Sequence, residues 1–140
     1  MNICIIGDGL TSLSLAKNLI NKKINVHIYH KNKIQKFTPG RTIGISKNNL
    51  EFFKKEINEI PKQNCWKIKK IEIYSQKLKN ENLFNFENKK KDLFYMVKND
   101  ELYESLKKKV FKSKFFKSTI IKKTFNEKQL NKKKYDLIIN

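Results

Sequence analysis

The sequence predicts an α/β fold that opens with a parallel strand–helix–strand unit and continues into an inserted layer of antiparallel strands. Three observations lead there: an unbroken apolar run at Ile3–Ile6, a glycine-bearing turn at Gly7-Asp8-Gly9, and a helical period directly after it. Ile3, Cys4, Ile5 and Ile6 show no polar alternation, as expected of a parallel strand buried on both faces. Gly7 suits a tight turn, and Gly9 lets a phosphate approach the backbone with no Cβ in the way. Free N–H groups and the dipole at the start of the next helix favour that negative charge. Leu13, Leu15, Ala16, Leu19 and Ile20 then fall on one side of a helix, with Lys17, Asn18, Asn21 and Lys22 expected to face outward. Asn25–Tyr29 reads as the second strand, with Val26 and Ile28 apolar. Ser12 stands where the third glycine of a G-x-G-x-x-G pattern would be, still small enough for close helix–strand packing.

At the end of the second strand such units place an acid against the adenosine ribose hydroxyls. This chain has His30 there. A neutral imidazole accepts one hydrogen bond where a carboxylate accepts two. The alternative for His30 is an ordinary solvent-facing residue at a strand end.

The remaining elements follow in order. A polar loop runs from Lys31 to Pro39 and Gly40, followed by Arg41–Ser46 and a helical stretch from Lys47 to about Ile57, with Pro61 closing that region. Ile68–Ser75 alternates as a strand, and Leu83–Phe86 and Leu93–Val97 are two more strands separated by the charged turn Glu87–Asp92. Asp100 is placed to cap a helix to Val110, with Leu102, Leu106 and Val110 on one stripe. Strands at Phe116–Ile121 and Tyr135–Ile139 complete the series, the latter expected to be a central parallel strand because Leu137, Ile138 and Ile139 have no polar face. There is no internal repeat.

The 140 residues suffice for one domain with a core, and the formal charge of +19 invites a nucleic-acid reading. The kind of charge argues against it. Arg41 is the only arginine, and nucleic-acid readers use arginine for bidentate contacts. The lysines are spread along the chain among Asn and Ile, which matches the amino-acid bias of an AT-rich genome. Cys4 and Cys65 form no metal or redox motif and are expected to be reduced thiols of a cytoplasmic protein. Asp8 interrupts the N-terminal apolar run, so no signal peptide is expected, and no segment approaches the roughly 20 apolar residues of a membrane span. Lysines and exposed aromatics leave peripheral membrane contact open. No nucleophile motif is present, and His27 and His30 lack metal-ligand partners.

Three stretches, in order, resemble the FAD-dependent aromatic-ring monooxygenases of the p-hydroxybenzoate hydroxylase type, and within them the ubiquinone-biosynthesis hydroxylases: GDGLTSLSLAKNLINKKINVHIYH, GRTIGISKNNLEFF and LFYMVKNDELYESLKKKV. The terminal YDLIIN is similar to the strand before that family's Asp-Gly turn. The resemblance implies a Rossmann-like FAD-binding domain over residues 1–140, its N-terminal portion, with about 65–98 beginning the inserted substrate-domain strands. It implies FAD as cofactor, NAD(P)H as reductant of the complete enzyme, a small aromatic substrate, and a cytoplasmic enzyme, peripheral to a membrane or in a hydroxylase complex.

It also places Gly7, Gly9, Leu10 and Thr11 on pyrophosphate-contacting positions, His30 on the ribose acid, and Arg41 on the arginine that neutralises charge beside the FAD. The chain departs from the pattern at Ser12, at His30, and at Asp100, where the family has an arginine. It reaches Asn140 before the family's Asp-Gly turn and later Gly-Asp motif, so the expectation is a marginally stable, association-prone portion that does not hydroxylate by itself. Two other classes stay open: a non-catalytic flavoprotein remnant, and an NAD(P)-binding module.

Overall fold

The computed structural model describes residues 1–31, 40–60, 65–77, 81–88, 92–121 and 134–140. Strand β1 (Asn2–Ile6), helix α1 (Leu10–Asn21) and strand β2 (Asn25–Lys31) form the expected unit, with β1 and β2 parallel and Ile3 opposite Val26. Further along the chain come β3 (Thr42–Ser46), α2 (Lys47–Phe52), β4 (Cys65–Ile68), β5 (Lys70–Ser75), β6 (Glu81–Glu87), β7 (Phe94–Lys98), α3 (Asn99–Phe111), β8 (Phe116–Ile121) and β9 (Leu137–Ile139).

Four strands make a parallel sheet in the order β8-β2-β1-β9. Ile3, Ile5, Val26 and Ile28 on one face of it meet Leu13, Ala16 and Ile20 of α1 and Leu102, Leu106 and Val110 of α3, and this is the core. Val97 joins it from β7, the centre of a second, antiparallel sheet ordered β3-β7-β4. The last pair, β5 and β6, forms a two-stranded antiparallel ribbon. Its register places Ile71 opposite Phe86 and Ile73 opposite Phe84, so one face is apolar, and Ile73, Phe84 and Phe86 are exposed. A ribbon of two strands has too little of its own to bury.

Several expectations are corrected. Tyr135–Ile139 yields β9 of only three residues, parallel to β1 as expected but at the edge of the described sheet, with Leu137 exposed. Ile68–Ser75 is not one strand: the chain leaves one sheet after Ile68 and enters another at Lys70, because β4 pairs with β7 and β5 with β6. The helix from Lys47 ends in a π-helical turn at Phe53–Ile57, and Ser46 caps its start by accepting from the Asn49 N–H. Asn18 and Asn21 do not simply face solvent, since their amides donate to the carbonyls of Glu56 and Ile57 in that turn. Asp100 is not the cap of α3. Lys98 holds that position, and Asp100 lies inside the first turn, where its charge suits the helix dipole. Pro61, the loop at 32–39 and part of the charged turn at 89–91 lie outside the described residues.

The face of the parallel sheet away from the helices carries a polar chain. Tyr29 and Tyr135 hydroxyls lie 3.0 Å apart, the Tyr135 hydroxyl is 2.5 Å from His27 Nδ1, and His27 Nε2 is 2.8 Å from Thr119 Oγ1. A neutral His27 satisfies it, accepting from Tyr135 and donating to Thr119. Burial, then Lys134 and Lys117, pushes the imidazole below its usual 6.5. The unfolded chain therefore takes up a proton more readily than the folded one, so this stabilisation is present above about pH 6.5 and is lost as pH falls below it. Denaturant midpoints at pH 7.5 and 5.5 should show the fall, and His27→Gln should shrink it; an equal fall in the variant would assign the effect to other groups.

Candidate functional site

Gly7 ends β1 with a φ of +106°, a conformation that glycine adopts without strain, and its N–H donates to the Tyr29 carbonyl at 2.7 Å. Ser12 lies close behind it, its Oγ 3.7 Å from where a Cβ on Gly7 would be. The third-glycine position is thus occupied by a residue small enough for the helix to approach the turn. Gly9 is different. Its φ of −68° and ψ of 174° suit any residue, and a Cβ there would meet nothing within 4 Å. Neither backbone conformation nor packing within the described chain requires a glycine at that position. Space left at the head of a helix is what an approaching phosphate needs.

Gly9 is also the N-cap of α1 and supplies no side-chain cap, and the first turn, beginning with Leu10, Thr11 and Ser12, contains no acid. Its amide donors and positive dipole end are left for an external acceptor. Beside this turn, at the C-terminal ends of β1, β2 and β8, a cavity of about 270 Å³ is lined by Ile6, Gly7, Asp8, Tyr29, His30, Lys31 and Ile121. Ligands of open parallel sheets bind in the crevice beyond the strands' carboxyl ends. A second cavity, of about 260 Å³, opens at the opposite, N-terminal ends of the strands around Asn2, Asn25, His27 and Tyr135.

Gly7 and His30 therefore come together around one cavity, with Gly9, Leu10, Thr11 and Ser12 at the adjoining helix start. Arg41 does not line that cavity. It is exposed just before β3, and its carbonyl accepts from the Asn99 N–H at 3.0 Å. Asn99 is buried, and its Oδ1 has no hydrogen-bond partner among the described residues, an acceptor awaiting a donor.

Residue-pattern reasoning passed over Asp8 and Tyr103. The Tyr103 hydroxyl donates to Asp8 Oδ2 at 3.3 Å, and His30 Nδ1 lies 3.5 Å from the same oxygen. Tyr103 is almost wholly buried on α3, and burial, followed by the Asp8 charge, pushes its phenol up to about 12. The signal available in the sequence was an acid between the two glycines, but its partner is 95 residues away. Among the described residues no group of three or more potential metal ligands occurs, and no helix is long and apolar enough to cross a membrane. Cys4 and Cys65 are free thiols.

No protein-family model and no curated protein matches the chain. Solved structures do. A 2,6-dihydroxypyridine-3-hydroxylase from Arthrobacter nicotinovorans superimposes with a TM-score of 0.60 at 14% identity, over 84% of this chain and 28% of its own. PqsL of Pseudomonas aeruginosa, a probable FAD-dependent monooxygenase, gives 0.65 at 13%, over 86% and 32%. Aklavinone-11 hydroxylase, in a ternary complex with FAD and aklavinone, gives 0.53 at 14%, over 85% and 25%. The chain shares their fold. It spans between a quarter and a third of the length of these neighbours.

Proposed function

We propose that this chain is the FAD-binding, N-terminal part of a flavin-dependent monooxygenase that hydroxylates an aromatic ring, and that its finer role is ring hydroxylation in ubiquinone biosynthesis. The observation that carries the reading is Gly9: a glycine needed by neither conformation nor packing, at an uncapped helix start beside a cavity at the strand ends. Gly7, Gly9, Leu10, Thr11 and Ser12 hold the pyrophosphate, His30 meets the ribose, and Arg41 offsets phosphate charge. Bound flavin supplies the oxidation chemistry, with electrons from NAD(P)H, while this chain binds it and orients it. Residues 65–98 begin the layer over which a small aromatic substrate sits. The lysine-rich surface suits a cytoplasmic protein that docks on an anionic membrane or in a hydroxylase complex.

A non-catalytic remnant is the second reading, favoured by His30 and Asp100, which stand where the resembled enzymes have an acid and an arginine. Flavin absorbance of the purified chain, followed by titration with FAD and ADP, separates the two. Retained flavin or saturable binding supports the first reading; neither nucleotide binding would overturn it. Arg41→Ala should weaken FAD by about 10- to 100-fold, the worth of a charge-assisted pair at about 1.5–3 kcal/mol. Lys22→Ala and Lys31→Ala should each cost only a few-fold. Equal losses in all three variants would make the attraction diffuse instead.

A further inference from the structure

We infer that Asp8 is the positioning residue of a ribose subsite: it holds the His30 ring so that Nε2 accepts a hydrogen bond from the 2′-hydroxyl of an adenine nucleotide. The inference rests on the nucleotide reading above and adds a specificity to it. The cavity takes a free 2′-hydroxyl, as in FAD or ADP, and disfavours a 2′-phosphorylated ribose.

The argument is one of donors and acceptors. His30 Nδ1 faces two oxygens, Asp8 Oδ2 at 3.5 Å and the Lys31 carbonyl at 3.4 Å. Neither an ionised carboxylate nor a carbonyl can donate, so Nδ1 carries the proton. A neutral imidazole then has its lone pair on Nε2, and nothing among the described residues hydrogen-bonds to that atom. Asp8 is itself fixed from behind. The Tyr103 hydroxyl donates to the same Oδ2 at 3.3 Å from an almost fully buried ring. The His30 and Asp8 side chains are only 15% and 17% exposed, and both residues line the cavity between the ends of β1 and β2.

In other strand–helix–strand units a carboxylate at this strand end accepts from the ribose directly. Here the carboxylate sits one residue past Gly7 and acts through the imidazole. An acceptor nitrogen with a carboxylate behind it repels a phosphate dianion. Among the described residues Lys31 is the only lysine or arginine lining the same cavity, and it is exposed.

The test uses the full chain and calorimetric titration with ADP, 2′-deoxy-ADP and 2′-phosphorylated ADP. ADP should bind about fivefold tighter than 2′-deoxy-ADP, the worth of one neutral hydrogen bond. It should also bind tighter than the 2′-phosphate. Asp8→Ala should shrink the preference for ADP over 2′-deoxy-ADP, whereas a merely structural loss would weaken both alike and leave their ratio unchanged. His30→Asp should keep the preference, and adding Asp8→Ala to it should tighten ADP, because two neighbouring carboxylates become one. Independently of ligand, a two-bond ¹H–¹⁵N spectrum of the unmutated protein should show His30 protonated on Nδ1. Protonation on Nε2, equal binding of ADP and 2′-deoxy-ADP, or tighter binding of the 2′-phosphate each overturns this inference alone. Failure to bind any of the three overturns the nucleotide reading with it.

Discussion

Gly9→Val is expected to abolish nucleotide binding while leaving the fold intact. The backbone at Gly9 is extended and tolerates a branched residue, and a Cβ added there meets nothing within 4 Å among the described residues. The valine side chain would fill the space at the head of α1, where a pyrophosphate accepts from backbone N–H groups. Losing one or two charge-assisted bonds, each about 1.5–3 kcal/mol, weakens ADP or FAD by about 100-fold or more. The matching control is Gly7→Ala. At a φ of +106° a side chain is strained whatever the space, so that variant should lose about 1–3 kcal/mol of stability. Calorimetric titration and thermal melts of both variants separate the roles. Unchanged ADP affinity in Gly9→Val would rule out the assignment of this turn to a pyrophosphate.

Leu106→Ala should be among the most damaging single truncations of the core, at about 2–5 kcal/mol. Leu106 is fully buried on α3, within the cluster where α1 and α3 meet the parallel sheet. The cavity left behind cannot close easily, because regular elements surround it. Domains of this size are stable by only about 5–15 kcal/mol, so the loss is a large share of the whole. It also reaches the site, since Tyr103 on the same helix holds Asp8. Ile120→Ala removes a side chain that is 56% exposed and should change the midpoint of denaturation little. Equal losses from both substitutions would place the core elsewhere.

The first 29 residues were legible because periodicity and turn chemistry there agree. An apolar run, a left-handed glycine and a helical stripe each depend on neighbours a few positions away, and the structure has all three in register. The stripe of Leu102, Leu106 and Val110 is likewise local, and all three are buried as expected. The break at Lys69 was not legible. Ile68, Ile71 and Ile73 alternate well enough for one strand, and only the separate partners β7 and β6 divide it. Nor could apolarity alone rank β9 in its sheet: Leu137, Ile138 and Ile139 suit a central strand, yet among the described residues β9 pairs with β1 alone.

By itself, then, the sequence determined the strand–helix–strand opening, the order of most later elements, and the glycine turn at Gly7. Those follow from short-range sterics and from which face of an element is apolar. Only the tertiary structure decided what the polar residues do. Asp8 meets Tyr103 across 95 positions, His27 meets Tyr135 across 108, and Asn18 meets the Glu56 carbonyl across 38. Hydrogen bonds join whichever donors and acceptors the packed core brings within about 3 Å, and no local pattern encodes that pairing.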